Sequence, residues 1–228
     1  NNASPIAAIT AALIAMIPLL SVTSGVVNFI VTLFVPPRQL PKLDFSRGIP
    51  SDQQSIVVVP MLLSSSEDIV ENLATLEHNY LCNPDPRLRF ALLSDFADAT
   101  EANTPEDQLL LDQLMAGIDA LNNTYAKKGA SPFQLFHRRR LWNENCQRWM
   151  GWERKRGKLE EFNELLRGAT DTGYIIEHGG HATDLQCTKY VITLDADSCV
   201  PTGSAVQLIG TMAHPLNRPR VDPNTKRV

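Results

Sequence analysis

Lys189-Tyr190-Val191-Ile192-Thr193-Leu194-Asp195-Ala196-Asp197 is the stretch on which the reading of this chain turns. A short, largely aliphatic and β-branched run of this kind reads as a hydrophobic strand. It stops on two aspartates separated by one alanine. In open α/β sheets ligands gather at the carboxyl ends of the strands, so this pair stands where a site is expected. Two carboxylates there can share one hard divalent cation, Mg²⁺ or Mn²⁺, with a diphosphate, which makes Asp195 and Asp197 the candidate metal ligands. A D-x-D pair also occurs in solvated turns, and only the strand before it raises this one above that reading.

Upstream the same grammar repeats. Ile56-Val57-Val58-Val59-Pro60 is a second strand, and a fully buried one. Ser64-Ser65-Ser66 with Glu67-Asp68 then opens a helix carrying Ile69, Leu73, Leu76 and Tyr80 on one side, and Asn83-Pro84-Asp85-Pro86 closes it. Residues 88–93 form the next strand, running into Ser94-Asp95-Phe96-Ala97-Asp98, so that Asp95 occupies another strand mouth. Thr104-Pro105-Glu106-Asp107 reads as an N-cap, a proline at the first helical position and an acidic first turn, for a helix reaching about Tyr125 through Leu110, Leu114 and Ile118. Residues 133–137 are a further strand. Residues 153–167 form a charged helix with Leu159, Phe162 and Leu166 on its apolar side. Strands alternating with helices specify an α/β fold with a mostly parallel sheet and helices on both faces.

The charge distribution is uneven. The chain of 228 residues holds 21 Lys and Arg against 25 Asp and Glu, yet no charged side chain and no histidine precedes Arg38. Residues 6–35 are apolar, interrupted by Pro18. As one helix they would extend about 45 Å, more than the ~30 Å hydrocarbon core of a bilayer. The expected division is a membrane helix over 6–24, a break at Ser24-Gly25 and an interfacial helix over 26–35 ended by Pro36-Pro37. No basic residue precedes the run, which argues against a secretory signal peptide. Arg38, Lys42 and Arg47 follow it and favour a cytoplasmic position for what comes next. The expected organisation is a membrane segment over 1–37, a Pro-rich connector over 38–54 and a soluble domain over 55–228. The chain opens on Asn-Asn-Ala and stops at Lys226-Arg227-Val228 without an evident closing element, and is expected to be a fragment of a longer polypeptide.

Between positions 138 and 158 lie eight basic residues, Arg138, Arg139, Arg140, Arg148, Arg154, Lys155, Arg156 and Lys158, opposed by Glu144 and Glu153. All three tryptophans, Trp142, Trp149 and Trp152, sit among them. Such a block suits a phosphorylated substrate, anionic lipid headgroups or nucleic acid, and indoles also form floors on which sugars and bases stack. The bland alternative is a solvated basic face with the tryptophans buried. A net charge of −4 argues against a dedicated nucleic-acid binder. Gly157-Lys158 fails as a phosphate loop, because Leu159 stands where a hydroxyl must meet magnesium. His178-Gly179-Gly180-His181 with Asp184 reads as a glycine-rich loop before it reads as a metal site. Cys82, Cys146, Cys187 and Cys199 have no paired spacing, which suits a reducing compartment.

Several of these segments together resemble the glycosyltransferase region of cyclic β-1,2-glucan synthases. They are residues 56–63, 83–99, the block Met150-Gly151-Trp152-Glu153-Arg154-Lys155-Arg156-Gly157-Lys158-Leu159-Glu160-Glu161-Phe162-Asn163, residues 190–197 and residues 214–219. The resemblance implies a GT-A fold, related to the processive polysaccharide synthases, in a bacterial inner-membrane protein with its catalytic domain in the cytoplasm. It implies UDP-glucose as donor, a growing glucan chain as acceptor, membrane lipid around the anchor, no nucleic-acid partner, and inversion at the anomeric carbon. By position it makes Asp195 and Asp197 the diphosphate and metal site, Asp95 a uridine contact and Lys158 a partner of the nucleotide. The acidic base motif and the Q-x-x-R-W motif of the processive synthases are not in this chain, and the general base is expected beyond Val228. Two other classes remain open. One is a phosphohydrolase with a D-x-D strand end, for which Cys199 stands where Thr or Val is usual. The other is a non-catalytic, membrane-anchored module that binds nucleotide or anionic lipid.

Overall fold

The computed structural model describes residues 4–35, 37–125, 131–180, 182–219, 222, 223 and 225. The chain divides into two units, Asn1–Leu40 and Pro41–Val228.

The first unit is one helix, α1 (Pro5–Phe34), whose described side chains are all exposed. The break expected at Ser24-Gly25 is absent, and the helix also runs through Pro18. Proline lacks one donor but holds a φ compatible with helix, and glycine costs only about 1 kcal/mol relative to alanine. Neither outweighs a continuous ladder of backbone bonds. The hydroxyls of Thr10 and Thr32 donate back to the carbonyls of Ile6 and Asn28, each at 2.9 Å, so these polar groups are satisfied within the helix. The segment Ile9–Phe34 is long and apolar enough to cross a membrane. Pro36, expected to help end this stretch, lies outside the described residues.

The second unit is built on a five-stranded sheet. Its strands are β1 (Ser55–Leu63), β2 (Leu88–Phe96), β3 (Phe133–Arg138), β6 (Tyr174–His178) and β7 (Tyr190–Thr193), in the order β6-β3-β2-β1-β7. The neighbours β3-β2-β1-β7 are parallel, and β6 closes one edge antiparallel to β3. β1 pairs with β2 along its whole length, from Ser55 opposite Leu88 to Leu63 opposite Phe96. Its run of β-branched residues is explained by burial on both faces. Val57 and Val59 pack under the helices α2 (Ser66–Cys82) and α3 (Asp107–Tyr125) with Leu76, Leu114 and Ile118, while Ile56 and Val58 pack on the other face with Phe162 of α4 (Arg154–Leu166). The mixed α/β sheet with helices on both faces is therefore as the sequence reads.

Local chemistry sets the boundaries. The Ser65 hydroxyl caps α2 by accepting from the Asp68 amide at 3.1 Å. The helix expected to begin just after Thr104 begins at Asp107, because the Asp107 carboxylate accepts from the Thr104 amide (2.7 Å) and hydroxyl (2.9 Å) and folds that segment into a turn. β2 extends three residues beyond the expected strand and takes in Ser94, Asp95 and Phe96. Three elements have no counterpart in the sequence reading. They are the hairpin of β4 (Leu141–Asn143) and β5 (Arg148–Met150), the strand β6, and α5 (Ser204–Ala213). From Pro41 onward the Pro-rich stretch belongs to the second unit, Leu43 donating its amide to the Gly210 carbonyl at 3.0 Å and Ile49 to the Asp85 carboxylate at 2.9 Å.

Candidate functional site

The carboxyl ends of β1, β2 and β3 meet the first turn of α4. Asp95, on β2, lies in register with Arg138 on the neighbouring β3, and both side chains turn to the α4 face. The guanidinium grips the carboxylate through two bonds, Nε to Oδ1 at 2.7 Å and Nη2 to Oδ2 at 2.8 Å. Arg138 donates further to Glu161 of α4 at 2.8 Å and to the carbonyls of Trp152 and Arg154 at 3.2 and 3.1 Å. Burial opposes the charge on Arg138, but Asp95 and Glu161 outweigh it and hold the guanidinium firmly protonated.

Lys158 enters the same cluster from α4. Its ammonium is 3.2 Å from the Asp95 carboxylate and donates to the Met61 carbonyl at the end of β1. Burial lowers its pKa and Asp95 pulls in the opposite direction. Tyr174 of β6 donates its hydroxyl to the Lys158 carbonyl at 2.8 Å. Asp95 and Lys158, expected as nucleotide contacts, are thus brought together and paired to one another, with Arg138 completing the cluster. Gly151 permits this closeness, since a Cβ there would lie 2.5 Å from an Asp95 oxygen.

Over this buried base opens a cavity of about 220 Å³ lined by Pro60, Met61 and Leu62 of β1 together with Asp95, Asp98, Gly151, Arg154, Lys155 and Lys158. Its exposed cations are already met by carboxylates. Arg154 pairs with Asp98 at 2.7 Å, and Lys155 pairs with Asp195. That last contact ties the D-x-D turn after β7 to the cavity. The Asp195 and Lys155 side chains are 63% and 51% exposed, so this pair is weak and displaceable. Asp197 is exposed, with Ser198 beside it at 3.5 Å.

Asp195 and Asp197 supply hard oxygen donors, and among the described residues no group of three or more His, Cys, Asp or Glu side chains could hold a metal ion. Such a pair fits a Mg²⁺ or Mn²⁺ ion held jointly with substrate phosphates, and does not fit a cation caged by protein alone.

The basic block separates into two populations. Arg138, Arg140 and Lys158 are buried in ion pairs, while Arg139, Arg148, Arg154, Lys155 and Arg156 are exposed. Arg140 pairs with Asp107, donates to the Ala97 carbonyl at 2.6 Å and lies 4.8 Å above the Phe96 ring. The tryptophans are not in the core. Trp142 and Trp149 pair across the hairpin at 5.8 Å, and Trp142 and Trp152 are both substantially exposed. His178 ends β6 and pairs with Asp119 at 2.8 Å, and Asp184 sits in a short helical turn, while His181 lies outside the described residues. Gly157 and Lys158 lie within α4. All four cysteines are free. Sequence reasoning missed Arg138, Glu161, Gly151 and Lys155 as parts of this site. The one signal for Arg138 was its place at the end of a strand beside the strand of Asp95.

Fold and site define an α/β protein whose parallel sheet presents a basic cavity and an acidic turn at its carboxyl edge, preceded by one apolar helix. No family model matches the chain. Over 204 residues, 90% of its length, it is 42% identical to the cyclic beta-(1,2)-glucan synthase NdvB of Rhizobium meliloti (strain 1021), and it spans 7% of that protein's length. The chain thus resembles a region of a cyclic β-glucan synthase, as its motifs indicate. Among solved structures, an α,α-trehalose-phosphate synthase (UDP-forming) from Burkholderia vietnamiensis matches 37% of this chain and 19% of its own at 18% identity and a TM-score of 0.30, an overlap too partial to bear on the fold.

Proposed function

We propose that this chain forms the donor-nucleotide half of a membrane-anchored glucosyltransferase that extends β-1,2-glucan from UDP-glucose. The observation that carries this reading is the junction at Lys155, which joins the acidic turn after β7 to the cavity over Asp95 and Lys158. The 42% identity to a cyclic beta-(1,2)-glucan synthase supports the choice of product. The strand order supports a GT-A arrangement of the sheet, while inversion at the anomeric carbon follows from making a β-linkage out of the α-linked glucose of UDP-glucose.

In this reading Asp195 and Asp197 hold Mg²⁺ or Mn²⁺, which supplies charge neutralisation for the departing nucleoside diphosphate. Arg154 and Lys155, held by Asp98 and Asp195 in the free chain, exchange those carboxylates for phosphate oxygens. Asp95 and Lys158 fix the floor on which the uridine end rests, their positions set by Arg138 and the Met61 carbonyl. The helix α1 anchors the unit in a bacterial inner membrane, with lipid around it and the sugar-nucleotide domain on the cytoplasmic side. No residue of this chain is assigned as general base.

Replacing Asp197 with Ala in the synthase that carries this chain is expected to abolish divalent-dependent glucose transfer from UDP-glucose. Full retention of transfer would remove the metal and diphosphate assignment.

A further inference from the structure

Beside the nucleotide cavity lies a second concavity of about 490 Å³, framed by the β4–β5 hairpin and the start of α4. Its lining includes the indoles of Trp142 and Trp152, the amides Asn143 and Asn145, and the ionic groups Glu153 and Arg154. The two indoles, one on the hairpin and one in the turn before α4, are 41% and 42% exposed, a large apolar area to leave in water. The volume lies within the 300–1,000 Å³ typical of small-ligand sites.

The combination is specific in its chemistry. Flat aromatic faces satisfy the C–H faces of a pyranose, while amide, carboxylate and guanidinium groups satisfy its equatorial hydroxyls. A lipid-anchoring hairpin would need neither Asn145 nor Glu153 within the same groove, whereas the Asn143 oxygen accepts the amides of Asn145 and Cys146 in the hairpin's own turn and leaves only its Nδ2 for a ligand. The groove is also continuous with the nucleotide site, because Arg154 lines both concavities.

The groove is held in shape. Glu153 and Arg154 are consecutive non-glycine residues with left-handed backbone, φ 49° and 48°, a conformation that persists only where its surroundings impose it. Here the surroundings are the buried Arg138 guanidinium, which takes the carbonyls of Trp152 and Arg154. The hairpin is pinned on its other side, where Trp149 and Ala99 exchange backbone hydrogen bonds at 2.9 Å in both directions. Turn and hairpin are thereby fixed against the same strand ends that form the nucleotide cavity.

We propose that this groove is a glucan-binding subsite, in which Trp142 and Trp152 stack on sugar rings next to the donor nucleotide. That the sugar is a β-1,2-linked glucan rests on the function proposed above; the carbohydrate character of the groove stands on its own lining.

All three tryptophans of the chain lie at this groove or behind it, so intrinsic fluorescence reports on it directly. The full chain in detergent is titrated with a β-1,2-linked gluco-oligosaccharide, and separately with UDP and Mn²⁺ followed by calorimetry. The expected result is a saturable emission change with the oligosaccharide, weakened by about tenfold in Trp142→Ala and in Trp152→Ala. Trp149→Phe, which spares the groove, keeps the affinity, and Trp142→Phe, which keeps the hairpin pair, loses less than the alanine variant. UDP binding stays unchanged in all four. Absence of an oligosaccharide response in a chain that still binds UDP overturns the subsite and leaves the nucleotide reading intact. Oligosaccharide affinity indifferent to Trp142→Ala and Trp152→Ala overturns it equally. So does an emission shift seen in phosphatidylglycerol but not phosphatidylcholine vesicles with none for the sugar. Loss of UDP binding alone, with the sugar response retained, counts against the nucleotide reading and supports the subsite as a carbohydrate site.

Discussion

Asp95 and Arg138 stand opposite one another on adjacent parallel strands and form a two-bond ion pair at 2.7 and 2.8 Å, with side chains only 4% and 1% exposed. The pair does more than join β2 to β3. Through its remaining donors Arg138 fixes the turn that opens α4, and through its remaining acceptor capacity Asp95 balances the buried Lys158. Removing the carboxylate would leave two cations buried side by side. Asp95→Ala is expected to destabilise the fold by about 3–5 kcal/mol, measured by urea unfolding. Arg138→Lys should cost nearly as much, since an ammonium cannot reproduce the planar fork.

Gly151→Ala tests the closeness of packing over that pair. A Cβ would sit 2.5 Å from an Asp95 oxygen and 3.0 Å from Arg138, and neither group can retreat. A loss of about 1–3 kcal/mol is expected, comparable to overpacking elsewhere in protein cores. The same substitution at Gly25, where nothing lies within 4 Å, should leave the stability of the second unit unaffected.

His137 makes stability depend on pH. It is buried on β3, shares a 2.8 Å hydrogen bond with Ser94 of β2, and its Nε2 finds no hydrogen-bond partner among the described residues. Burial lowers its pKa to about 4 despite the attraction of Asp95 and Asp107, with Lys158 and Arg140 reinforcing the drop. The unfolded chain takes up this proton near pH 6.5 and the folded chain only near 4, so stability is full above pH 6.5 and is lost as the pH falls toward 4. The contribution is on the order of 3 kcal/mol. His137→Gln should flatten this part of the profile in chemical denaturation at pH 7 and pH 4.5, and an unchanged slope would remove His137 as its source.

Lys155 and Asp195 should separate binding from stability. Because both are largely exposed, Lys155→Ala and Asp195→Ala are each expected to change stability by no more than about 0.5 kcal/mol. If they serve the nucleotide, both should weaken UDP binding by about tenfold, an effect of charge-assisted contacts to phosphate.

The parallel sheet was legible because β1 is a continuous buried run, β2 is apolar from Phe90 to Leu93, β7 is a short hydrophobic strand leading into the two aspartates, and α2 carries its serine cap in the sequence. β6 was not, since Tyr174–His178 is a short, half-buried edge strand whose antiparallel pairing depends on β3. α5 begins at Gly203 with φ 71° and no side-chain cap, leaving no start signal. The hairpin rests on an Asx turn, in which the Asn143 carboxamide accepts the amides of Asn145 and Cys146, and its strands of three residues are too short for periodicity to reveal. The acidic turn stood out because a strand points to it. The ion-pair cluster did not, because in Arg138-Arg139-Arg140 the outer two are buried and the middle one exposed, a distinction that only their partners Asp95 and Asp107 decide. The continuity of α1 was missed because Gly25 was weighed as a breaker without the backbone ladder around it.

Calorimetric titration of the chain with UDP, in Mn²⁺ and in EDTA, for the unaltered sequence and for Asp197→Ala tests the central claim most directly. The account predicts saturable binding in Mn²⁺ that falls by about tenfold or more both on chelation and in Asp197→Ala, with ATP binding more weakly than UDP. Binding that is equal with and without divalent cation and unchanged in Asp197→Ala, or no binding of UDP to a folded chain, would contradict it.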